Sequence, residues 1–553
     1  MVGYIKHKIY IPEEDVDMNA IERAYQFDNF EETACQRCPY RKDRPNEYCQ
    51  TCQAYLGLIR MWSRKVINGK SYILIPSGNM KRATEVTGID FSLYKDLRCC
   101  APFESGLKWT GKLRHGEMVN GVPSANQEEI AEKWLQPHKR YGFIQAPPRT
   151  GKSVLGVHLS CQIGYKTLFV AHQTELLENF YKSFERDTNL LELRESTGKE
   201  IVSIIESSKD YEKMKDLDVA LVTYQKFIRE DSRDELIKNY IKGRFGFVIT
   251  DEAHQAGAEA YARFLSQMDC RYKLGMSATP MRKDALNKVL FNCIGPVTVK
   301  SESTGLIPRI EIFETGIKEK SSYCWAKTMQ KLQKSEKRNK LILKEVVKDL
   351  KEHKVILIPV DTKEHMELLV QSINNHYNEE IAFGYHSGCK NRKTVLKDID
   401  EGKYKVIVAI KSMIKQGIDL KLPTMIYVQV LMSAAPQPKG SPMFYQMGNR
   451  VCTPYLGKRE PVVKIFVDNL PESYGCFMSL MTKEIAPGLK APEGGRPKYK
   501  MSEACNKYAW EMVKQIGKKC YSQSAPYNPD YMSERPYIEN TGLNGNLLKG
   551  SWL

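Results

Sequence analysis

The 553-residue chain contains no run of eighteen apolar residues, so no membrane-spanning helix is expected. Its first residues, Met1-Val-Gly-Tyr-Ile-Lys6, lack the apolar core of a secretory signal, and a soluble, intracellular protein is expected. No internal repeat and no long low-complexity tract is present, which leaves ordinary globular domains, three or four at this length. Acidic residues are in deficit, 66 against 83 basic ones, for a formal charge of +17. Such an excess favours a polyanionic partner through counterion release and steering, with a merely solubilising surface as the alternative. The fifteen cysteines are an odd number, and the eleven from Cys99 to Cys520 share no spacing. A disulfide framework is therefore not expected, and these eleven read as reduced, mostly buried residues.

Four cysteines do share a spacing: Cys35-Gln-Arg-Cys38 and Cys49-Gln-Thr-Cys52. Two such pairs, ten residues apart, can wrap one structural zinc ion tetrahedrally, in a module over about 33–55. Free thiols or a disulfide pair are the alternatives. No open position for a catalytic water is expected, so the metal would organise the fold. Beyond it, Ala54–Trp62 shows a helical apolar pattern, Ser71–Pro76 reads as a strand, and Gly78-Asn79 as a turn.

The segment Ala146-Pro-Pro-Arg-Thr-Gly-Lys-Ser153 has the spacing of a phosphate-binding loop, with Ala146 where glycine often stands. It follows the strand-like Tyr141–Gln145 and precedes the helix-like Val154–Ser160. Backbone N–H groups at a helix start hold phosphate oxygens, Lys152 adds a point charge, and Ser153 can bind magnesium. Asp251-Glu-Ala-His254 follows another apolar run, Phe245–Thr250. There Asp251 can hold the magnesium and Glu252 can orient water. Together, in this order, the two motifs point to hydrolysis of a nucleoside triphosphate. Next come Ser277-Ala-Thr279, Gln416-Gly-Ile-Asp419 after Val406–Ile410, and Gln446-Met-Gly-Asn-Arg450 before Val462–Val467.

This ordered set resembles the superfamily 2 helicases in their DEAH form, over roughly Gly121 to Asn469. Asn126-Gln127 and Val222-Thr-Tyr-Gln225 resemble most the phage UvsW-like and XPB-like ATP-dependent DNA helicases. The resemblance implies an α/β fold with two RecA-like parallel-sheet lobes; the cysteine spacing adds an amino-terminal zinc-binding accessory domain, and the composition beyond residue 481 a basic carboxyl-terminal extension. The resemblance also implies ATP and Mg2+ as cofactors, beside structural Zn2+. It makes Lys152, Asp251, Glu252, Gln446 and Arg450 catalytic. ATP contacts fall to Gln127, at the adenine edge, Pro147, Pro148, Arg149, Thr150, Gly151, Lys152, Ser153, Gly417 and Asp419. Nucleic-acid contacts fall to His172, Gln173, Thr223, Tyr224, Gln225, His386, Ser387 and Ser412. Ser277 and Thr279 would couple the two tracks.

The expected order is an accessory region at 1–120, a first lobe at 121–298, a linker at 299–322, a second lobe at 323–481 and an extension at 482–553. Lys81, Arg82 and Lys95 make the accessory region a candidate for duplex contact, with a lid packed on the motor as the alternative. The expected activity is ATP-driven unwinding or remodelling of forked or branched DNA. An RNA helicase and a nucleotide-gated clamp with weak turnover are the alternatives. DNA, forked, branched or single-stranded, is the expected partner, and RNA a possible one. A phage or viral origin would put the protein in the host cell. One departure stands out. The family's last motif carries a second arginine where this chain has Thr453, and Asn449 replaces the usual glycine. Arg459 is a candidate substitute.

Overall fold

In the computed structural model the described residues are 3–28, 47–49, 54–56, 58–119, 122–147, 150–228, 230–251, 264–278, 286–301, 309–318, 325–352, 355–389, 392–415, 422–428, 447, 449–452, 461–470, 473 and 499–500. The chain divides into two units, residues 1–117 with 124–303, and residues 118–123 with 304–553.

Short β-branched and aromatic runs at the amino terminus pair into a five-stranded sheet. Its strands are β1 (Tyr4–Ile5), β2 (Lys8–Pro12), β3 (Ser63–Ile67), β4 (Lys70–Pro76) and β5 (Lys95–Asp96), in the order β3-β4-β2-β1-β5. Ile9, Ile11, Ile73 and Ile75 alternate toward one face, where they pack with Ile21 of α1 (Met18–Tyr25) and Ala83 of α2 (Met80–Thr87). Asn79 does more than turn the chain: its side chain caps α2, accepting from Arg82 N at 3.1 Å.

The helix expected over 54–62 is absent. Ala54–Leu56 instead pairs antiparallel with Glu47–Cys49, and Leu58–Arg60 with Gln26–Asp28. A nine-residue apolar segment is too short for a stable helix of its own, and strand partners from distant sequence decide its form. The accessory region also does not end as a separate body near 120. Residues 98–117 lie along the first lobe, through bridges such as Cys99 to Cys270 and Trp109 to Thr188. Buried Asp218 accepts from the N–H groups of Glu104 and Ser105, each at 2.9 Å.

The first lobe's sheet is parallel throughout. Its strands are β6 (Gly142–Gln145), β7 (Thr167–Ala171), β8 (Val202–Ile205), β9 (Val219–Thr223), β10 (Phe247–Asp251), β11 (Tyr272–Ser277) and β12 (Val297–Lys300), in the order β8-β9-β7-β10-β11-β6-β12. Continuous apolar runs suit strands covered on both faces. Phe143, Leu168, Val170, Val222 and Val248 enter one core. Ile144, Phe169, Ala171, Leu221 and Ile249 enter the other. The helices α3 (Gln127–Leu135), α4 (Lys152–Ile163) and α5 (Thr174–Asp187) belong to this lobe.

The second unit repeats the plan with β13 (Arg309–Glu314), β14 (Ile356–Val360), β15 (Ala382–Tyr385), β16 (Val406–Ile410), β17 (Met425–Val428), β18 (Val462–Val467) and β19 (Tyr499–Lys500). They run β15-β16-β14-β17-β18-β13-β19, again parallel. The fold is thus α/β with two parallel sheets. The expected linker is narrower than 299–322. β12 is the edge strand of the first sheet, and β13 pairs between β18 and β19 in the second. Within the expected extension at 482–553, Tyr499–Lys500 is a strand paired with β13 at Ile310 and Glu311. Among the described residues no helix is long and apolar enough to cross a membrane.

Candidate nucleotide-binding site

The phosphate-loop segment sits between β6 and α4, at the carboxyl end of its strand. Gly151 adopts φ +78° at the start of α4, a left-handed conformation that favours glycine. A Cβ there would lie 2.2 Å from Gln127 Nε2. The loop closes on itself through Thr150 Oγ1, which donates to Pro147 O at 2.8 Å. Lys152 opens α4 and Ser153 follows it, so both stand in the helix's first turn, where N–H groups lack helical partners. Pro148 and Arg149 lie outside the described residues.

Asp251 ends β10 and is 8% exposed. Its Oδ1 lies 3.8 Å from Lys152 Nζ. That spacing brings the phosphate-loop cation and the strand-end carboxylate to one place, as a nucleotide with its metal requires. Ser277, fully buried, ends β11, between β10 and β6. Its carbonyl accepts from Ala146 N at 3.0 Å, and Gln145 Nε2 donates to Ala278 O at 3.3 Å. The strand ends of β6, β10 and β11 are therefore bonded around one point. Glu252, His254 and Thr279 lie outside the described residues.

Gln127 is not a surface helix residue, since only 1% of it is exposed. Asn126 caps α3, accepting from Glu129 N at 3.1 Å, and so turns Gln127 inward. Gln127 Nε2 donates to Thr150 O at 2.8 Å, and its Oε1 accepts from Arg114 N at 3.1 Å. Its own N–H donates to Arg114 O at 2.8 Å. Gln127 is thus a strut between residue 114 and the phosphate loop. Arg114, which sequence reasoning missed, contributes through its backbone and carries no side-chain signature.

The loops expected to face nucleic acid follow strand ends of the first sheet. His172-Gln173 follows β7 and Thr223-Tyr224-Gln225 closes β9, its pairing neighbour. Gln225 Nε2 donates to His172 O at 2.7 Å, which ties the two loops together.

In the second unit, His386 follows β15, and its Nδ1 accepts from Gly388 N at 3.0 Å, shaping the turn that holds Ser387. Ser412 lies in the short helix Lys411–Lys415 after β16. Arg450 Nε donates to Ile414 O of that helix at 3.1 Å, joining two expected motifs. Gln416, Gly417, Asp419, Gln446, Thr453 and Arg459 lie outside the described residues. The strand ends of this sheet also carry a polar set, buried except for Asp361, that the sequence did not suggest. Lys411 Nζ donates to Asp361 Oδ2 at 2.9 Å, and Arg338 Nε to Asp468 Oδ1 at 2.9 Å. Thr315 Oγ1 donates to the same Asp468 oxygen at 2.6 Å. Asp361, Lys411, Asp468 and Thr315 each come directly after a strand, the one sequence signal that marks them.

Of the zinc module, only Cys49 is described, at the end of the strand Glu47–Cys49; Cys35, Cys38 and Cys52 lie outside. Among the described residues no group of three or more His, Cys, Asp or Glu could hold a metal ion.

Residues 120–282 match the family described as the type III restriction enzyme, res subunit. A provisionally named ATP-dependent RNA helicase of Acanthamoeba polyphaga mimivirus is 24% identical over 388 residues, 66% of this chain and 68% of that protein. The XPB helicase/translocase subunit of the general transcription and DNA repair factor IIH of Danio rerio is 25% identical over 184 residues, 32% of this chain. The match takes in only 22% of that protein's length. The crystal structure of T4 UvsW covers 94% of this chain and 97% of its own at 16% identity, with a TM-score of 0.34. With the phosphate loop, its lysine and the strand-end aspartate in place, the chain is thus similar to the type III restriction enzyme res family over residues 120–282, and over longer stretches to proteins named as viral and XPB-type helicases.

Proposed function

We propose that the protein is an ATP-dependent DNA helicase or translocase that unwinds or remodels forked or branched duplex. The meeting of Lys152 and Asp251 at 3.8 Å, beside the opened helix start at Gly151, carries the ATP part of this reading. ATP is the substrate: the first-turn N–H groups of α4 and Lys152 take its outer phosphates. Ser153 and Asp251 would hold Mg2+, which neutralises charge on the phosphates. Glu252 aligns the attacking water, and Arg450 supplies charge from the second lobe in the transition state. Gln127 adds an adenine contact to its role as a strut. The loops at 172–173, 223–225, 386–387 and 412 hold the strand by its backbone. The charge of +17 supports a nucleic-acid partner. Cys35, Cys38, Cys49 and Cys52 bind one structural zinc ion; their paired spacing supports this, as does the placement of Cys49 at a strand end whose partner strand begins at Ala54.

Steady-state ATPase with no polymer, single-stranded DNA, forked DNA and RNA tests the reading. Forked DNA should stimulate most. Lys152→Ala and Glu252→Gln should abolish the stimulated rate, while Glu252→Gln still binds ATP and DNA. Stimulation by RNA alone would replace DNA with RNA. Wild-type turnover in either variant would remove the site assignment.

A further inference from the structure

The first unit has a cavity of about 780 Å³ that none of the motifs accounts for. It lies at the amino edge of the parallel sheet, where β6, β11 and β12 begin with Gly142, Tyr272 and Val297. The phosphate loop leaves β6 from the other end, roughly 13 Å away at about 3.3 Å per residue. Nucleotide and strand-end loops occupy the carboxyl edge, so this cavity is a different place on the lobe.

Its lining is basic. Six of the eighteen described lining residues are Lys81, Arg98, Lys139, Arg140, Arg271 and Lys273, and none of the eighteen is acidic. They come from four separate pieces of chain: α2, the segment after β5, the turn before β6, and the start of β11. Only tertiary folding collects them. Two carboxylates stand close by. Asp96 takes Arg98 at 2.6 Å and also pairs with Arg271, so one acid serves two guanidinium groups. Glu85 lies 3.9 Å from Lys81, in an exposed pair that contributes little. Lys273 is 5% exposed, and its ammonium donates to Leu265 O at 3.0 Å. Lys139 is half-buried on the turn 137–139, which Lys139 N fixes by donating to Gln136 O at 2.8 Å. The surrounding field is positive as well. Burial, with Lys242, Lys8, Lys273 and Lys6, pushes His7 down to about 3, and the His7 carbonyl is bonded to Ser77 on the cavity wall.

Small-molecule pockets of about 300–1,000 Å³ are lined mainly by apolar and aromatic side chains with a few polar ones. A wall one-third Lys and Arg instead matches contact with a sugar–phosphate backbone. We propose that this cavity is a second nucleic-acid site, which grips phosphates of a segment that lies off the strand track of the motor. The proposal rests on the helicase reading above. The site lets the accessory region and first lobe hold nucleic acid while ATP-driven steps occur at the opposite edge of the sheet.

The test uses the full chain with the double variant Lys81→Glu, Lys139→Glu, the first exposed, the second half-buried and neither used in the fold's core. A charge-matched control carries Lys199→Glu, Lys209→Glu. Binding to forked duplex is measured by anisotropy from low to moderate salt, with ATPase without polymer and melting temperature as checks on folding. The pocket variant should lose affinity at least about tenfold, and its slope of log affinity against log salt should become shallower by about two. The control should change affinity by less than about threefold, with polymer-free ATPase unchanged in both. Equal effects of pocket and control variants, or unchanged binding by the pocket variant, overturn the site. So does competition by pyrophosphate in a Lys152→Ala background that is lost in the pocket variant while duplex binding is not, which would assign the cavity to small phosphorylated ligands. Wild-type protein that hydrolyses ATP but never responds to a nucleic acid overturns the helicase reading instead.

Discussion

Gln127 shows how much one amide can hold. Its donor end meets the phosphate loop at Thr150, and its acceptor end meets Arg114. Gln127→Ala would remove the partner of the buried Thr150 carbonyl, at a cost of about 1–3 kcal/mol where water cannot reach, and that of the half-buried Arg114 N–H, at a smaller cost. The expected outcome is a lower melting temperature and weaker ATP binding, which ATP titration and calorimetry would register together. Gln127→Glu should be worse for ATP, because a carboxylate would face the Thr150 carbonyl. Gly151 is stricter still. Any side chain there meets both a φ of +78° and the Gln127 amide 2.2 Å away. Gly151→Ala should eliminate measurable ATP binding while the rest of the first lobe stays folded. Retention of normal affinity would mean the loop can shift without penalty.

At the scale of elements, the chemistry gathers where parallel strands end. Arg450 is tied by Nε to the carbonyl of Ile414, at the end of the helix that carries Ser412. This bond fixes the guanidinium at its Nε. Arg450→Ala should nearly eliminate hydrolysis with nucleotide binding retained. Thr453→Ala should change turnover by less than about tenfold, or about 1.4 kcal/mol, since a hydroxyl cannot neutralise developing charge. Both are read by steady-state ATPase with saturating forked DNA, and equal loss in the two variants would reverse the assignment. The zinc module makes a separate prediction. Protein purified without chelator should hold one zinc ion per chain by metal analysis, lost in Cys35→Ser or Cys49→Ser. Folded, never-chelated protein without zinc would reject the module.

Across the whole molecule, each unit buries a histidine beside cationic groups. Burial, with Arg338 and Lys411, pushes His365 down from 6.5 to about 3. The unfolded chain therefore binds more protons than the folded one between those values. Stability from this neutral histidine is present above about 6.5 and is lost as pH falls toward about 3, by at most about 1.4 kcal/mol per pH unit. His7, also pushed down to about 3, acts with the same sign in the first unit. His365→Gln should flatten the decline in melting temperature between pH 7 and pH 5 relative to wild type. An unchanged profile would mean that other groups control acid sensitivity there.

Sequence alone determined where the candidate nucleotide site lies. Ala146–Ser153, Asp251 and Ser277 are local signals, each after an apolar strand, and a parallel sheet brings strand ends to one edge whatever lies between them. Most strands of both sheets were legible for the same reason, because fully buried strands require continuous apolar runs. Tertiary structure decided the rest. The 54–62 segment became two strands because 54–56 closes a hairpin with 47–49 and 58–60 pairs with 26–28, and a helical period registers neither partner. Gln127, expected at the adenine edge, is also a buried strut to the phosphate loop because Arg114 offers backbone partners that no side chain announces. The pairs Lys411–Asp361 and Arg338–Asp468 join residues 50 and 130 positions apart, and the basic cavity collects residues from 81 to 273. Spacing in one dimension carries no trace of such meetings, since only packing of the strands and helices sets which distant charges share a dielectric environment and which are left to water.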